Sequence, residues 1–161
     1  GGTPYSGILY AGLMITENGP KVIEFNVRFG DPKTQVILPR LENDFAEIFL
    51  AVAEKRLHEI KLLWKAGASV CVIASAPGYP GPLTKGLPIT LPQTLTAKTQ
   101  IFHAGTANQN EQLVTNGGRV FGVCAQSADI SEAREQAYSM IEKVHFKGKH
   151  FRSDIAAKAL S

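Results

Sequence analysis

A chain of 161 residues, 44% hydrophobic and 19% charged, carries enough apolar material for one ordinary domain or two small lobes and is not disordered in general. Its 17 Lys and Arg are scattered among 14 acids, for a net charge of +3, which excludes the concentrated basic face of a nucleic-acid binder and suits a phosphate-bearing small substrate. No apolar run approaches the roughly 18 residues of a membrane span and no basic-then-apolar leader opens the chain, so a cytoplasmic protein without a membrane partner is expected.

Residues 1–7 pass straight into the apolar run ILYAGLMI with no introducing helix or loop, as a chain entered in the middle of a domain would. The runs GILYAGLMI (7–15) and KVIEFNV (21–27) flank TENGP, and Asn18-Gly19 is a turn signal, so the pair predicts an antiparallel hairpin. After Pro32, the apolar set Val36, Ile37, Leu38 and Leu41 predicts a short helix with Asp31 as N-cap, ending near Pro39. Asn43 or Asp44 can cap the next segment, DFAEIFLAVAEKRLHEI, where Phe45, Ile48, Phe49, Val52 and Leu57 recur at helical spacing.

From Ala66 the texture changes, and a boundary near residue 64 divides the chain into 1–63 and 64–161. SVCVIASA (69–76) reads as a strand and PGYPGPLTKGLP as a loop. QIFHAGTA (100–107) and QLVTN (112–116) predict a second hairpin, and GRVFGVCAQS (118–127) a further strand, giving a mainly antiparallel sheet. A helix opens at Ser131-Glu132 and runs through Val144 with Ala133, Ala137, Ile141 and Val144 on its apolar face. The C-terminal stretch reads as a strand-like FKGKHF and a short last helix. Cys71 and Cys124 sit in apolar runs without zinc or redox spacing, and are expected reduced and buried.

The chemistry concentrates in IEFNVRFGDPKTQ (23–35). Strand alternation puts Glu24 and Asn26 on one face, a carboxylate and an amide carbonyl of the kind that hold Mg²⁺ while water and phosphates fill its other positions. A bare Glu-x-Asn is more often the polar face of an exposed hairpin. The continuation weighs against that: Arg28 has the same parity and suits a phosphate clamp, and Gly30 and Asp31 open a helix whose backbone N–H groups can meet an anion.

Read together, GILYAGLM, KVIEFNVRFGDPKTQVILPRL, PGYPG, FHAGT and GGRVFGV resemble, in order and from Gly2 to Ala159, the C-terminal part of the glycinamide ribonucleotide synthetase (phosphoribosylamine–glycine ligase) family of ATP-grasp enzymes. Glu-x-Asn occurs in many ATP-grasp enzymes, whereas EFN-x-RFGDP-x-TQ with FHAGT and GGRV is specific to this family. The resemblance implies an α+β fold: the last antiparallel strands and helices of an ATP-grasp lobe in 1–63, then a small mainly antiparallel domain with helices in 64–161.

It further implies a ligase that joins glycine to 5-phosphoribosylamine, with ATP split to ADP and phosphate through glycyl phosphate, as the second step of purine biosynthesis. Glu24 and Asn26 match the family's Mg²⁺ or Mn²⁺ ligands, and Arg28, Gly30 and Asp31 its substrate and phosphate loop. The family usually has an acid where this chain has Lys33, a reversed charge. The family's N-terminal lobes would precede this chain, so the fragment alone is expected to be inactive, and a bared apolar face to favour self-association. The alternatives are another ATP-grasp carboxylate–amine ligase and a non-catalytic binding module retaining the fold. His103 is expected to be structural rather than substrate-positioning, Lys85 an exposed loop residue, Trp64 a packing residue between lobes, and Gly117-Gly118 a turn between strands.

Overall fold

Two apolar runs around a turn make the predicted hairpin: strands β1 (Tyr10–Thr16) and β2 (Gly19–Asn26) pair antiparallel, with Thr16 opposite Gly19 and Tyr10 opposite Asn26. Glu17 and Asn18 form the turn, and Gly19 follows at φ +86°, a left-handed conformation that glycine adopts without strain. The register shifts once: Gly12 faces Glu24 but Leu13 faces Val22, which leaves Ile23 as the extra residue of a β-bulge. Both faces of the ribbon keep large apolar side chains exposed, among them Ile15 at 76% and Phe25 at 62%. The computed structural model, which describes residues 2–160, divides into a compact unit ending at Lys65 and a second beginning at Ala66.

Helix α1 (Lys33–Ile37) has five residues and runs into a 3-10 turn, Leu38–Arg40, that includes Pro39. The cap expected at Asp31 is not made; Pro32 holds the cap position without a side-chain bond. The N–H that a cap at Asp31 would take, that of Thr34, already donates to the Gly30 carbonyl at 2.8 Å, and Asp31 Oδ1 instead accepts from Gln35 Nε2 at 2.8 Å. Helix α2 (Phe45–Ala53) is capped by Asp44, whose Oδ1 accepts from Ala46 N at 2.8 Å.

The helical spacing predicts α2 as far as Ile60, but the helix stops at Ala53 in a Schellman motif. Lys55 N–H donates to Val52 O at 3.2 Å and Arg56 N–H to Ala51 O at 2.9 Å, around a left-handed Lys55 at φ +61°. A lysine, not the glycine usual there, makes that stop. Asn43, the other cap candidate, ties down the next segment, accepting from Leu63 N at 2.6 Å and donating to Lys61 O at 3.1 Å.

In the second unit β3 (Ala68–Ser75), β4 (Thr99–His103) and β7 (Arg119–Ser127) form an antiparallel sheet in the order β3-β7-β4, while β5 (Thr106–Gln109) and β6 (Gln112–Thr115) form a separate hairpin. The architecture is α+β. The hairpin predicted over 100–107 and 112–116 is therefore divided, its first half joining the central sheet. The break falls at Ala104 and Gly105, whose N–H groups donate to Val120 O at 3.0 Å and Arg119 O at 2.8 Å.

A side chain has no room there. A Cβ on Gly105 would lie 2.5 Å from Gly117 Cα and 2.7 Å from Arg119 O, and one on Gly118 would lie 2.2 Å from the Tyr79 ring. FHAGT and GGRV thus meet backbone to backbone, and PGYPG joins them through the Tyr79 ring.

Helix α3 (Ile130–Glu142) begins earlier than its predicted opening at Ser131, because Asp129 is its cap, accepting from Glu132 N at 2.9 Å. Ala133, Ala137 and Ile141, with Met140 and Val144, are buried against Val72, Val120, Val123 and Ala125. The C-terminal segment lies along α3 through side chain to backbone bonds: Arg134 Nε to Ile155 O at 2.8 Å, Tyr138 Oη to Arg152 O at 2.7 Å, and Lys149 Nζ to Ile141 O and Val144 O, each at 2.7 Å. FKGKHF contributes one isolated bridge rather than a strand, His150 to Ser75, with a second made just before it by His145 to Thr90, and the last helix is a 3-10 turn, Ala157–Ala159. Among the described residues no helix is long and apolar enough to cross a membrane.

Gly105→Ala forces a Cβ into backbone rather than into a flexible side chain. It is expected to lower the stability of the second unit by about 2–3 kcal/mol; a urea unfolding midpoint unchanged from the wild type would show that the two segments can part without cost.

Candidate functional site

The bulge at Ile23 sets the phase of the end of β2. From there Gly12 lies opposite Glu24 and Tyr10 opposite Asn26, so these four residues share one face of the ribbon. Gly12 is what lets the carboxylate lie across β1: a Cβ there would come within 2.9 Å of Glu24 Cγ. Asn26 is half-buried, and its side chain has no hydrogen-bond partner among the described residues.

Lys33, in α1, reaches the same face. Its Nζ stands 3.4 Å from Glu24 Oε1 and 3.7 Å from the centre of the Tyr10 ring. The Tyr10 side chain above all holds the ammonium above the ordinary lysine pKa; burial opposes it, and Glu24 adds a smaller upward effect.

Of the remaining predicted residues, Gly30 packs against the Lys33 stem, where a Cβ would lie 3.0 Å from Lys33 Cδ. β2 ends at Asn26, so strand parity does not extend to Arg28, whose Nη1 donates to the Phe29 carbonyl at 2.9 Å. The Gly30 carbonyl accepts from both the N–H and the hydroxyl of Thr34, the latter at 2.6 Å, and the carboxylate of Asp31 is engaged by Gln35. A helix as short as α1 offers no developed dipole for an anion.

The donor chemistry of the face fits a small hard cation. Glu24 gives a carboxylate and Asn26 a carbonyl; among the described residues no group of three or more His, Cys, Asp and Glu converges, so such a cation takes few protein ligands and completes its shell with water or phosphate. Tyr10 and Gly12 went unread in the sequence, and Lys33 was read only as a reversed charge beside Asp31. Gly12 left a signal, since a glycine within a strand run marks a close approach, but the contacts of Lys33 depend on where α1 returns.

Elsewhere, His103 is exposed; its Nδ1 lies 3.1 Å from Thr106 Oγ1 and its ring meets Phe121 edge-on at 5.0 Å. Lys85 is exposed in its loop, and Trp64 bridges to Leu41 within the first unit. Cys71 and Cys124 are free, buried and directly opposite each other across β3 and β7. Hydrogen bonding with Cys71, and then burial, push the Cys124 thiol far above the usual cysteine range.

Comparison with known families matches residues 69–158, more than half of the chain, to the phosphoribosylglycinamide synthetase C domain, and residues 1–34 to the ATP-grasp (A) domain of the same synthetase. A phosphoribosylamine–glycine ligase of Caldanaerobacter subterraneus subsp. tengcongensis is 51% identical over 97% of this chain and 37% of its own length. The trifunctional purine biosynthetic protein adenosine-3 of Gallus gallus is 46% identical over 99% of this chain and 16% of its own length.

The crystal structure of phosphoribosylamine–glycine ligase from Thermotoga maritima superposes with a TM-score of 0.73 at 39% identity, covering 91% of this chain and 36% of that one. The biotin carboxylase domain of Hydrogenobacter thermophilus 2-oxoglutarate carboxylase, at 13% identity and a TM-score of 0.63 over 88% of this chain and 32% of its own, shares the fold alone. The chain spans less than two-fifths of the length of these relatives.

Gly12→Ala is expected to leave the hairpin folded, because the Glu24 stem can swing aside, and to part the carboxylate from Lys33. A crystal structure of the variant checks it: the 3.4 Å separation should open beyond about 4 Å.

Proposed function

The chain belongs to the phosphoribosylglycinamide synthetase family, and from that membership we propose that it forms the C-terminal ATP-grasp strands and the C domain of a ligase joining glycine to 5-phosphoribosylamine. In that reaction the terminal phosphoryl group of ATP passes to the glycine carboxylate, leaving ADP. The amine of phosphoribosylamine then displaces phosphate and loses a proton, giving glycinamide ribonucleotide. Residues 1–63 belong to the ATP-grasp part and 64–161 to the C domain, and the protein works in the cytoplasm.

The observation that carries the reading is the shared face of Glu24 and Asn26, cleared by Gly12, inside the segment that matches the ATP-grasp model. Glu24 and Asn26 would hold Mg²⁺ or Mn²⁺, which when bound neutralises charge on the ATP phosphates. Arg28 is placed two residues beyond β2 with an exposed side chain, suited to a phosphate; Gly30 and Asp31 shape the loop that leads it into α1. These residues form one wall of a site whose other walls come from the rest of the synthetase fold, so the 161 residues alone do not turn over.

Grafting residues 1–161 in place of the aligned segment of the Caldanaerobacter ligase tests this. The chimaera is expected to release ADP only when glycine and phosphoribosylamine are present, and Glu24→Ala to lower kcat at least about 100-fold, with the free chain inactive as control. A fully active Glu24→Ala chimaera removes Glu24 from the site, and an inactive chimaera that is folded removes the ligase reading.

The exposed apolar faces of β1 and β2 also support self-association of the isolated chain. Sedimentation velocity is expected to show a mass that rises with concentration; a monomer throughout would overturn it.

A further inference from the structure

A cation already stands at the carboxylate proposed to hold the metal. The Lys33 ammonium has two holders on one face of the ribbon, Glu24 Oε1 at 3.4 Å and the Tyr10 ring at 3.7 Å. They differ in kind. The ring attracts the ammonium through its π face whether or not Glu24 is engaged, whereas the carboxylate serves lysine and metal alike. Neither charged side chain is locked, for Lys33 is 40% and Glu24 51% exposed.

A divalent ion bound at Glu24 with the ammonium still on the same carboxylate would bring like charges within a few ångströms, which disfavours joint occupancy. On the reading that Glu24 and Asn26 are metal ligands, we propose that Lys33 is an internal competitor for the divalent cation: it neutralises Glu24 when no metal is present, and withdraws to the Tyr10 ring when metal takes the carboxylate. Metal without nucleotide is thereby disfavoured at this face. Polyphosphate shifts the balance, because it supplies the extra negative charge that a metal needs to displace the lysine.

The geometry gives both partners the freedom this exchange requires. Gly12 leaves the Glu24 stem uncrowded, and the bonds of Thr34 to Gly30 fix the start of α1, so that the lysine stem moves while its backbone does not.

The test uses Mn²⁺ alone as the probe, its free concentration read by electron paramagnetic resonance, on the 161-residue chain at low ionic strength. Lys33→Gln is expected to bind Mn²⁺ about five- to tenfold more tightly than the wild type, Lys33→Arg to bind as the wild type does, and the gain to vanish when Glu24→Gln is added. Binding that first becomes measurable in Lys33→Gln supports the proposal equally. Equal affinity of wild type and Lys33→Gln, with Glu24→Gln weaker, overturns the competitor and leaves Glu24 a ligand. Equal affinity of wild type and Glu24→Gln overturns the metal reading itself, and the competitor with it. Absence of binding in both wild type and Lys33→Gln also overturns the competitor.

Discussion

Strand β7 is wrapped on both edges by β3 and β4 and buried on both faces, and the second unit is organised around that burial. Val120, Phe121, Val123 and Ala125 have no exposed surface, so the strand reads as a continuous apolar run rather than an alternating one. A strand buried this way must begin at a fixed place, since a slip of one residue would exchange its faces. The crossing of Gly105, Gly117 and Gly118 under Tyr79 sets that beginning. FHAGT, GGRV and PGYPG therefore meet in packing at this point, whereas Glu24, Asn26 and Lys33 lie in the first unit.

The first unit faces the opposite constraint. A two-stranded ribbon cannot bury two apolar faces, and β1 and β2 leave theirs to solvent. What the ribbon does fix is direction: the bulge at Ile23 turns Glu24 and Asn26 onto the face of Tyr10 and Gly12, and α1 returns Lys33 to it. The electrostatics of the face are thus set by Glu24 and Asn26 of β2, Tyr10 of β1 and Lys33 of α1.

Much of the fold was legible because its signals were local. The turn residues before Gly19, the apolar face of α3 and the cap of α2 by Asp44 all follow from spacings of a few residues. Where the reading failed, a distant partner decided. Ala104 and Gly105 break what looked like one strand because their N–H groups are taken by the start of β7; Asp31 does not cap because Thr34 is already bonded to Gly30; α2 ends at a lysine in the conformation usually given to glycine. At the candidate site the pairing of Glu24 and Asn26 was visible from alternation, but the bulge that sets its phase and the lysine that faces it were not. Composition could not show either, because both depend on what the next element does with the chain.

The fastening of the C-terminal segment carries a consequence for cooperativity. Arg134 and Tyr138, one helical turn apart on α3, hold backbone carbonyls of residues 152–155, and Lys149 donates to the carbonyls of Ile141 and Val144 at the end of the same helix. Helix and tail therefore complete each other's hydrogen bonding, and neither can open alone without stranding polar groups of the other. Residues 152–155 and α3 thus make a single unit of local unfolding, in which the segment opens with the helix and not ahead of it.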